Sequence, residues 1–299
     1  GEVCYARPDQ EGESPYDTWE KATSNLQAAV DLHPKFVLAT NGTYIVDHSE
    51  GRNLGLTLDY PVKVRSLEGP LVTLIRGSYN ANPSTRPNFE KHVVTIRNGG
   101  ASVEGFRIER GFPPLLYANA GLVANCIITN SYIGENQDIN YVFGTAIVSN
   151  CVFDATGADD GHVNASRNPV TLSGSARLIN CEVRNLTMNE SKAGVTVRGG
   201  IYASGSSIVR NCYVHDIRYV LPVADNTGNA GIVAAGSATV ENCTVRNCWS
   251  KENPEGGLRV KSSTATVRNS IFWGNTGGAD ETPIDIKVDA AAAAATFEN

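Results

Sequence analysis

The sequence predicts a right-handed parallel β-helix, and three regularities in its 299 residues carry that prediction. The dipeptide Asn-Cys returns at Asn125-Cys126, Asn150-Cys151, Asn180-Cys181, Asn211-Cys212 and Asn242-Cys243. A degenerate copy follows at Asn269-Ser270, and Asn299 falls where the next would begin. The steps are 25, 30, 31, 31, 27 and 30 residues, and self-similarity at that period marks a solenoid of stacked coils. Apolar side chains hold fixed offsets from each asparagine: two residues before it (Val123, Val148, Leu178, Val209, Val240, Val267, Phe297), and three after it (Ile128, Phe153, Val183, Val214, Val245, Phe272). A glycine also recurs six residues before the rung, at Gly99, Gly144, Gly174, Gly205 and Gly236.

These offsets define the coil. A straight strand buries every second residue. Here the inward positions are −2, +1 and +3, so the alternation slips at the asparagine, which must bend the chain between two strands. Asparagine tolerates the left-handed conformation such a bend needs. Gly105 stands at the same offset between Val103, Phe106 and Ile108 and meets the need without a side chain. The recurrent glycine is a second corner, and the crossover rule makes the winding right-handed. Stacked rungs about 4.8 Å apart would let the amides of Gly105's successors, Asn125, Asn150, Asn180, Asn211, Asn242 and Asn269, bond in a ladder. Asn211→Ala is then expected to cost about 1–3 kcal/mol by leaving buried partners unpaired.

Five of the seven cysteines occupy the inward position after the asparagine, where they form a stack of small buried side chains rather than disulfides, because in-register parallel side chains point the same way. Cys4 and Cys248 lie outside that stack.

In chain order, residues 1–16 read as an irregular tail and 17–32 as a capping segment. Within it a helix runs from Trp19 to about Asp31, capped by Asp17 or Thr18, with Trp19, Ala22, Leu26, Ala29 and Val30 on one face. The β-helix occupies 33–299. Residues 77–91 form a protruding loop, and regular rungs run onward from Val93. The run Ala290 to Ala295 stands where a strand and corner are due, and Ala295-Thr-Phe-Glu-Asn299 mirrors Ala238-Thr-Val-Glu-Asn242. The chain is expected to be a fragment there, with the alanines standing for unassigned residues.

Composition excludes several function classes. Charged residues make up 19% and the net charge is −6, with no basic run, which argues against a nucleic-acid footprint. No stretch of about 18 apolar residues suggests a membrane span.

The segment Val37-Leu-Ala-Thr-Asn-Gly-Thr-Tyr44 after the capping helix, followed by repeated Asn-Cys rungs, resembles the pectate-lyase-like superfamily of β-helices. More narrowly, Gly199-Gly-Ile-Tyr202, Gly256-Gly-Leu258 and Ser270-Ile-Phe-Trp-Gly-Asn275 resemble the repeats of polymorphic outer-membrane proteins. The resemblance implies a secreted or surface-attached bacterial protein with a role toward polysaccharides or at the cell surface. The signature residues are corners and core, so it speaks for the fold more than for an activity.

In lyases of this superfamily the sugar lies along the outer face of the sheet that precedes the glycine corner. Here the outward positions are Tyr141, Thr171, Tyr202, Val233 and Arg259. A lyase of that type implies calcium-holding carboxylates and a Lys or Arg base, and only Arg259 fits. Asp159-Asp160 and Gly161-His162 stand adjacent rather than a coil apart, a poor match to a polygalacturonase-like hydrolase. The loops past each rung carry the candidates for β-elimination, which needs a base and a group that neutralises a uronate carboxylate: His162 with Arg167, or Lys192 with Tyr219. Candidate binding residues are Tyr141, Tyr202, Arg259, Asp225 and Lys251. Asp154, Asp159 and Asp160 would hold calcium if a cation binds, although no cofactor is required. The outward ladder four residues past the rung (Thr129, Asp154, Arg184, His215, Arg246, Trp273) reads as surface ion pairs, with His215 solvated between two arginines. Non-catalytic recognition of a polysaccharide or glycan is the function expected first. A lyase acting on an acidic polysaccharide and a structural stalk are the alternatives.

Overall fold

The computed structural model describes residues 1–46, 54–77, 92–111, 114–129, 138–155, 168–188, 199–219, 231–251 and 255–298. The coils stack into three sheets of parallel strands, most coils contributing one strand to each. In the last coils the strand of the third sheet is split in two, and that sheet ends on one short antiparallel pair, Thr276–Gly277 with Thr282–Pro283. Sheet 1 runs from Leu54–Leu58 through Asn140–Val142, Val170–Leu172, Ile201–Ala203 and Leu258–Val260 to Ile286–Val288. The glycine corner leads to sheet 2, which spans Val3–Ala6 to Thr296–Glu298, and the asparagine bend leads to sheet 3, which begins at Gly42–Val46. This is the parallel β-helix the repeat predicts.

The bends take the conformation the offsets require. The φ angles are +53° at Asn125, +52° at Asn150, +54° at Asn180 and Asn211, +52° at Asn242, +48° at Asn269 and +80° at Gly105. The inward positions on either side are buried from Val123 through Val245. Phe297, in the last strand of sheet 2, is 47% exposed, yet its register with Val267 holds. Ahead of that strand, Ala290–Ala292 form one 3-10 turn.

The amide ladder differs from expectation. The rung side chains are exposed rather than buried, and among the described residues the amide-to-amide bond is Asn211 Nδ2 to Asn180 Oδ1 at 3.0 Å. The rung asparagines therefore act through the backbone. Asn211→Ala should cost about 1–2 kcal/mol, the penalty of a left-handed residue with a Cβ, and Asn211→Gly should cost less than the alanine change. Chemical denaturation of the two variants checks this; equal losses would contradict it.

The glycine corners form a tighter ladder. Gly144, Gly174, Gly205 and Gly236 have φ between +59° and +65°. The residue after each of the last three donates to the glycine one coil earlier, as Ser206 N does to Gly174 O at 2.7 Å, and Thr145 N, after Gly144, donates to Asn119 O at 3.0 Å. Gly99 does not belong to this ladder, since its φ lies outside the left-handed region; one coil later Gly121, at φ +74°, stands at the corner before Leu122–Ala124.

The N-terminal end also departs from the sequence reading. Val3–Ala6 is not part of an irregular tail but the first strand of sheet 2, paired with Phe36–Ala39, and Cys4 on it is buried. The expected helix is broken into a 3-10 turn at Trp19–Lys21 and a short α-helix at Leu26–Val30. The break arises because the intervening chain covers a strand edge: Thr23 bridges Ala6, its N–H donating to Tyr5 O and its carbonyl accepting from Arg7 N. Asn25, not Asp17 or Thr18, then caps the helix by accepting from Ala28 N. Leu26, Ala29 and Val30 face the core, and Gln27 exchanges two hydrogen bonds with the backbone of Thr57 on the edge strand of sheet 1. The cap thus blocks two edges that would otherwise invite pairing.

All seven cysteines are free and buried. The stacked thiols donate to main-chain carbonyls, as Cys126 Sγ does to Ala124 O at 3.2 Å.

A further corner lies five residues past the rung. Asn185, Asp216, Asn247 and Gly274 have φ of +60°, +56°, +51° and +68°. Each bend slips the alternation of sheet 3 a second time. The sequence signal was a second Asn, Asp or Gly at a constant offset, masked by the stronger Asn-Cys repeat.

Candidate functional site

The outer face of sheet 1 carries the side chains that the repeat placed there. Tyr141 pairs in register with Thr171, Thr171 with Tyr202, Tyr202 with Val233, and Val233 with Arg259. The row extends upstream through Tyr117 to Thr95 and downstream to Lys287. Strand pleating points all of them away from the core, and the three tyrosines are half-buried.

At the N-terminal half of this row the rings form a contiguous cluster. His92 stacks on Tyr117 with centroids 4.5 Å apart and planes 2° from parallel. Tyr117 lies 5.9 Å from Tyr141 and 4.9 Å from Phe143. Phe143 and Tyr141 are stacked at 4.7 Å. Neighbouring rings cover one face of each other, so a ligand meets hydroxyl edges and the remaining faces. The Tyr141 hydroxyl lies 3.3 Å from Ser173 Oγ. Beside it Asn168, itself buried, donates to Thr171 Oγ1 at 2.9 Å and to Asp138 Oδ1 at 2.7 Å. His92, Tyr117 and Phe143 were not among the sequence candidates, although Tyr117 occupies the outward position one coil before Tyr141.

The C-terminal half is charged but internally neutralised. Arg259 is 8% exposed and Glu255 is 1% exposed. The guanidinium donates to Asp289 through Nε and Nη2, each at 3.0 Å, and its Nη1 lies 2.9 Å from Glu255 Oε1. Lys287 Nζ reaches the same Glu255 oxygen at 2.6 Å. Burial opposes the charge on Arg259, but its two carboxylate partners outweigh burial and raise its pKa. Arg259, a candidate binding residue, stands at the centre of a buried ion cluster. The Lys287 ammonium is thus directed at Glu255 rather than at the open face of the sheet.

The other candidates fall into two groups. His162, Arg167, Lys192, Asp225, Asp159 and Asp160 lie outside the described residues, as does most of the expected loop at 77–91. Tyr219 is corrected: it is 1% exposed and packs in the core, where burial pushes its phenol well above the ordinary range. The bend at Asp216 is the cause, since it turns Ile217 and Tyr219 inward after Val214. Lys251 is half-buried just past the strand Trp249–Ser250 of sheet 3. Asp154, a calcium candidate, accepts from Arg184 Nε at 2.9 Å and from the Asn185 amide. Among the described residues no cluster of three or more His, Cys, Asp or Glu side chains is placed to hold a metal.

The ladder four residues past the rung is in register as expected, but His215 is not solvated. Its side chain is 14% exposed, with Nδ1 2.6 Å from Asp216 Oδ2 and Nε2 2.8 Å from Glu182 Oε1. Its ring stacks on Tyr213 at 4.1 Å. Burial pushes Glu182 and Asp216 up, but hydrogen bonds from His215, joined by Arg184 on Glu182 and Asn247 on Asp216, hold both carboxyls below their ordinary values. The arrangement braces sheet 3 across coils; it leaves neither imidazole nitrogen directed at solvent-borne substrate.

No protein-family model and no curated protein sequence matches the chain. Solved structures do. The crystal structure of pectate lyase Pel9A is similar with a TM-score of 0.55 at 13% identity, covering 90% of this chain and 69% of that one. A pectin methylesterase in complex with a hexasaccharide is similar with a TM-score of 0.52 at 14% identity, covering 97% of this chain and 93% of that one. At such identity the likeness shows the fold: a pectin-lyase-like parallel β-helix. Among the described residues no helix is long and apolar enough to cross a membrane.

Proposed function

We propose that this chain recognises a polysaccharide along the outer face of sheet 1, in a secreted or cell-surface setting, and does so without cleaving it. The observation that carries the reading is the aromatic cluster of His92, Tyr117, Tyr141 and Phe143 on that face. The half-buried Tyr117 and Tyr141 rings, backed by the buried His92 and by Phe143, offer apolar contact and hydrogen bonds together, the two things a pyranose ring presents. The coil spacing of about 4.8 Å repeats such groups along the axis, so an extended sugar chain could meet equivalent contacts on successive coils. The cations of the same face are held by Glu255 and Asp289, which supports recognition over β-elimination. A pectin methylesterase of this fold takes a hexasaccharide, and that precedent is in keeping with the proposal. The reading requires no cofactor; calcium at Asp154, Asp159 and Asp160 would be an addition to it.

The test is calorimetric titration with a panel of neutral and acidic oligosaccharides, comparing the protein with its Tyr117→Ala, Tyr141→Ala double variant. Removing both rings should weaken binding at least about tenfold, since each truncation of a well-packed aromatic contact costs about 1 kcal/mol or more. Full affinity in the double variant would move the binding surface elsewhere.

A further inference from the structure

We infer that the N-terminal end of the solenoid carries a second saccharide site, separate from the face of sheet 1 and suited to a neutral sugar of about two units. An open cleft of about 530 Å³ lies there, framed by Arg7, Pro8, Asp9, Trp19, Thr40 and Asn41. Small-molecule sites of about 300–1,000 Å³ are usual.

The walls are fixed from beneath. Tyr44, 1% exposed, directs its hydroxyl at Ala6 O (2.9 Å) and Thr40 O (3.0 Å), which ties the first strand of sheet 2 to the corner before sheet 3. At that corner Gly42 has φ +120°, and a Cβ on it would fall 2.4 Å from Pro8 Cγ. The Asn41-Gly42 corner therefore packs directly on Pro8, and Asn41 is left exposed at the rim. Trp19 enters from the 3-10 turn and is supported by Tyr5, with centroids 4.4 Å apart. Breaking the expected helix after Lys21 is what leaves the indole in this position.

The groups around the cleft match one chemistry. A pyranose has an apolar C–H face and a rim of hydroxyls that both donate and accept. Trp19 supplies an aromatic surface, Asp9 an acceptor, Arg7 and Asn41 donors, and Thr40 a hydroxyl that does either. Arg7 Nη2 lies 3.6 Å from Asp9 Oδ2, with the side chains 42% and 71% exposed. The charges of that pair compensate each other, which favours a neutral sugar over a uronate. The site stands apart from the aromatic cluster of sheet 1 in both residues and sheet, so neither proposal depends on the other.

The experiment uses the full chain with its three tryptophans replaced by fluorotryptophan and followed by fluorine NMR. The Trp19 resonance is assigned by its loss in Trp19→Phe. Cellobiose should shift that resonance saturably and leave those of Trp249 and Trp273 in place. Asp9→Asn should weaken the response about tenfold, as loss of a charged acceptor does, and Tyr117→Ala should leave it unchanged. A Trp19 resonance unmoved by cellobiose at its solubility limit overturns the site. A response lost in Tyr117→Ala overturns its independence, and tighter binding of digalacturonate than of cellobiose overturns the ligand class.

Discussion

Arg259→Ala is expected to lower the unfolding free energy by about 3 kcal/mol, the cost of removing one partner from a buried ion cluster. Glu255 is 1% exposed and would retain only Lys287 of the two cations it now faces, while Asp289 would lose its three bonds from the guanidinium. The size follows from what is left behind: an under-compensated carboxylate in a place water barely reaches. A double change, Arg259→Met with Glu255→Gln, should recover most of the loss, because it removes the charge together with its partner. Denaturant titration of the two variants checks this. A loss below about 1 kcal/mol for Arg259→Ala, the range of exposed pairs, would restore Arg259 as a residue available to a ligand.

Gly205→Ala is expected to cost about 2–4 kcal/mol. A left-handed residue bearing a Cβ accounts for about 1–2 kcal/mol of that. The rest comes from the neighbouring coil: the new Cβ would stand 2.8 Å from both the N and the O of Gly174, so the coils must part at a backbone contact that no side-chain rotation relieves. Gly99→Ala is the control. Gly99 is outside the left-handed region, and a Cβ on it meets nothing within 4 Å, so the change should be neutral or stabilise by up to about 1 kcal/mol through the unfolded state. Equal losses at the two positions would contradict the corner ladder.

The fold was legible because its determinants are local and repeated. A left-handed bend restricts what can stand there, so Asn125 to Asn269 and Gly144 to Gly236 mark their corners in the sequence itself. The outward row of Tyr141, Thr171, Tyr202, Val233 and Arg259 followed from pleating alone. What such periodicity cannot convey is the state of a side chain once neighbours from other coils arrive. Arg259 looked like a ligand-binding cation, but its partners Glu255 and Asp289 come from a loop before its strand and from the following coil. His215 looked solvated because its own ladder neighbours are arginines; the carboxylates that hold it sit one residue away and one coil below on the same sheet, at Asp216 and Glu182. Tyr219 was misplaced for a different reason, the unread second bend at Asp216. At the N-terminus, the apolar face of Trp19 to Val30 was real, but long-range pairing of Thr23 with Ala6 outweighed helix propensity over those few residues.

The most direct test of the central claim is a single incubation of the purified chain with acidic and neutral polysaccharides, with and without calcium. Retention of each glycan is scored beside the ultraviolet absorbance of new unsaturated uronate ends and the appearance of new reducing ends. The account predicts retention that falls in the Tyr117→Ala, Tyr141→Ala variant, with no growth of absorbance or reducing ends. Absorbance that grows with time, and that disappears when His162 or Lys192 is replaced, would contradict it and make the chain a lyase.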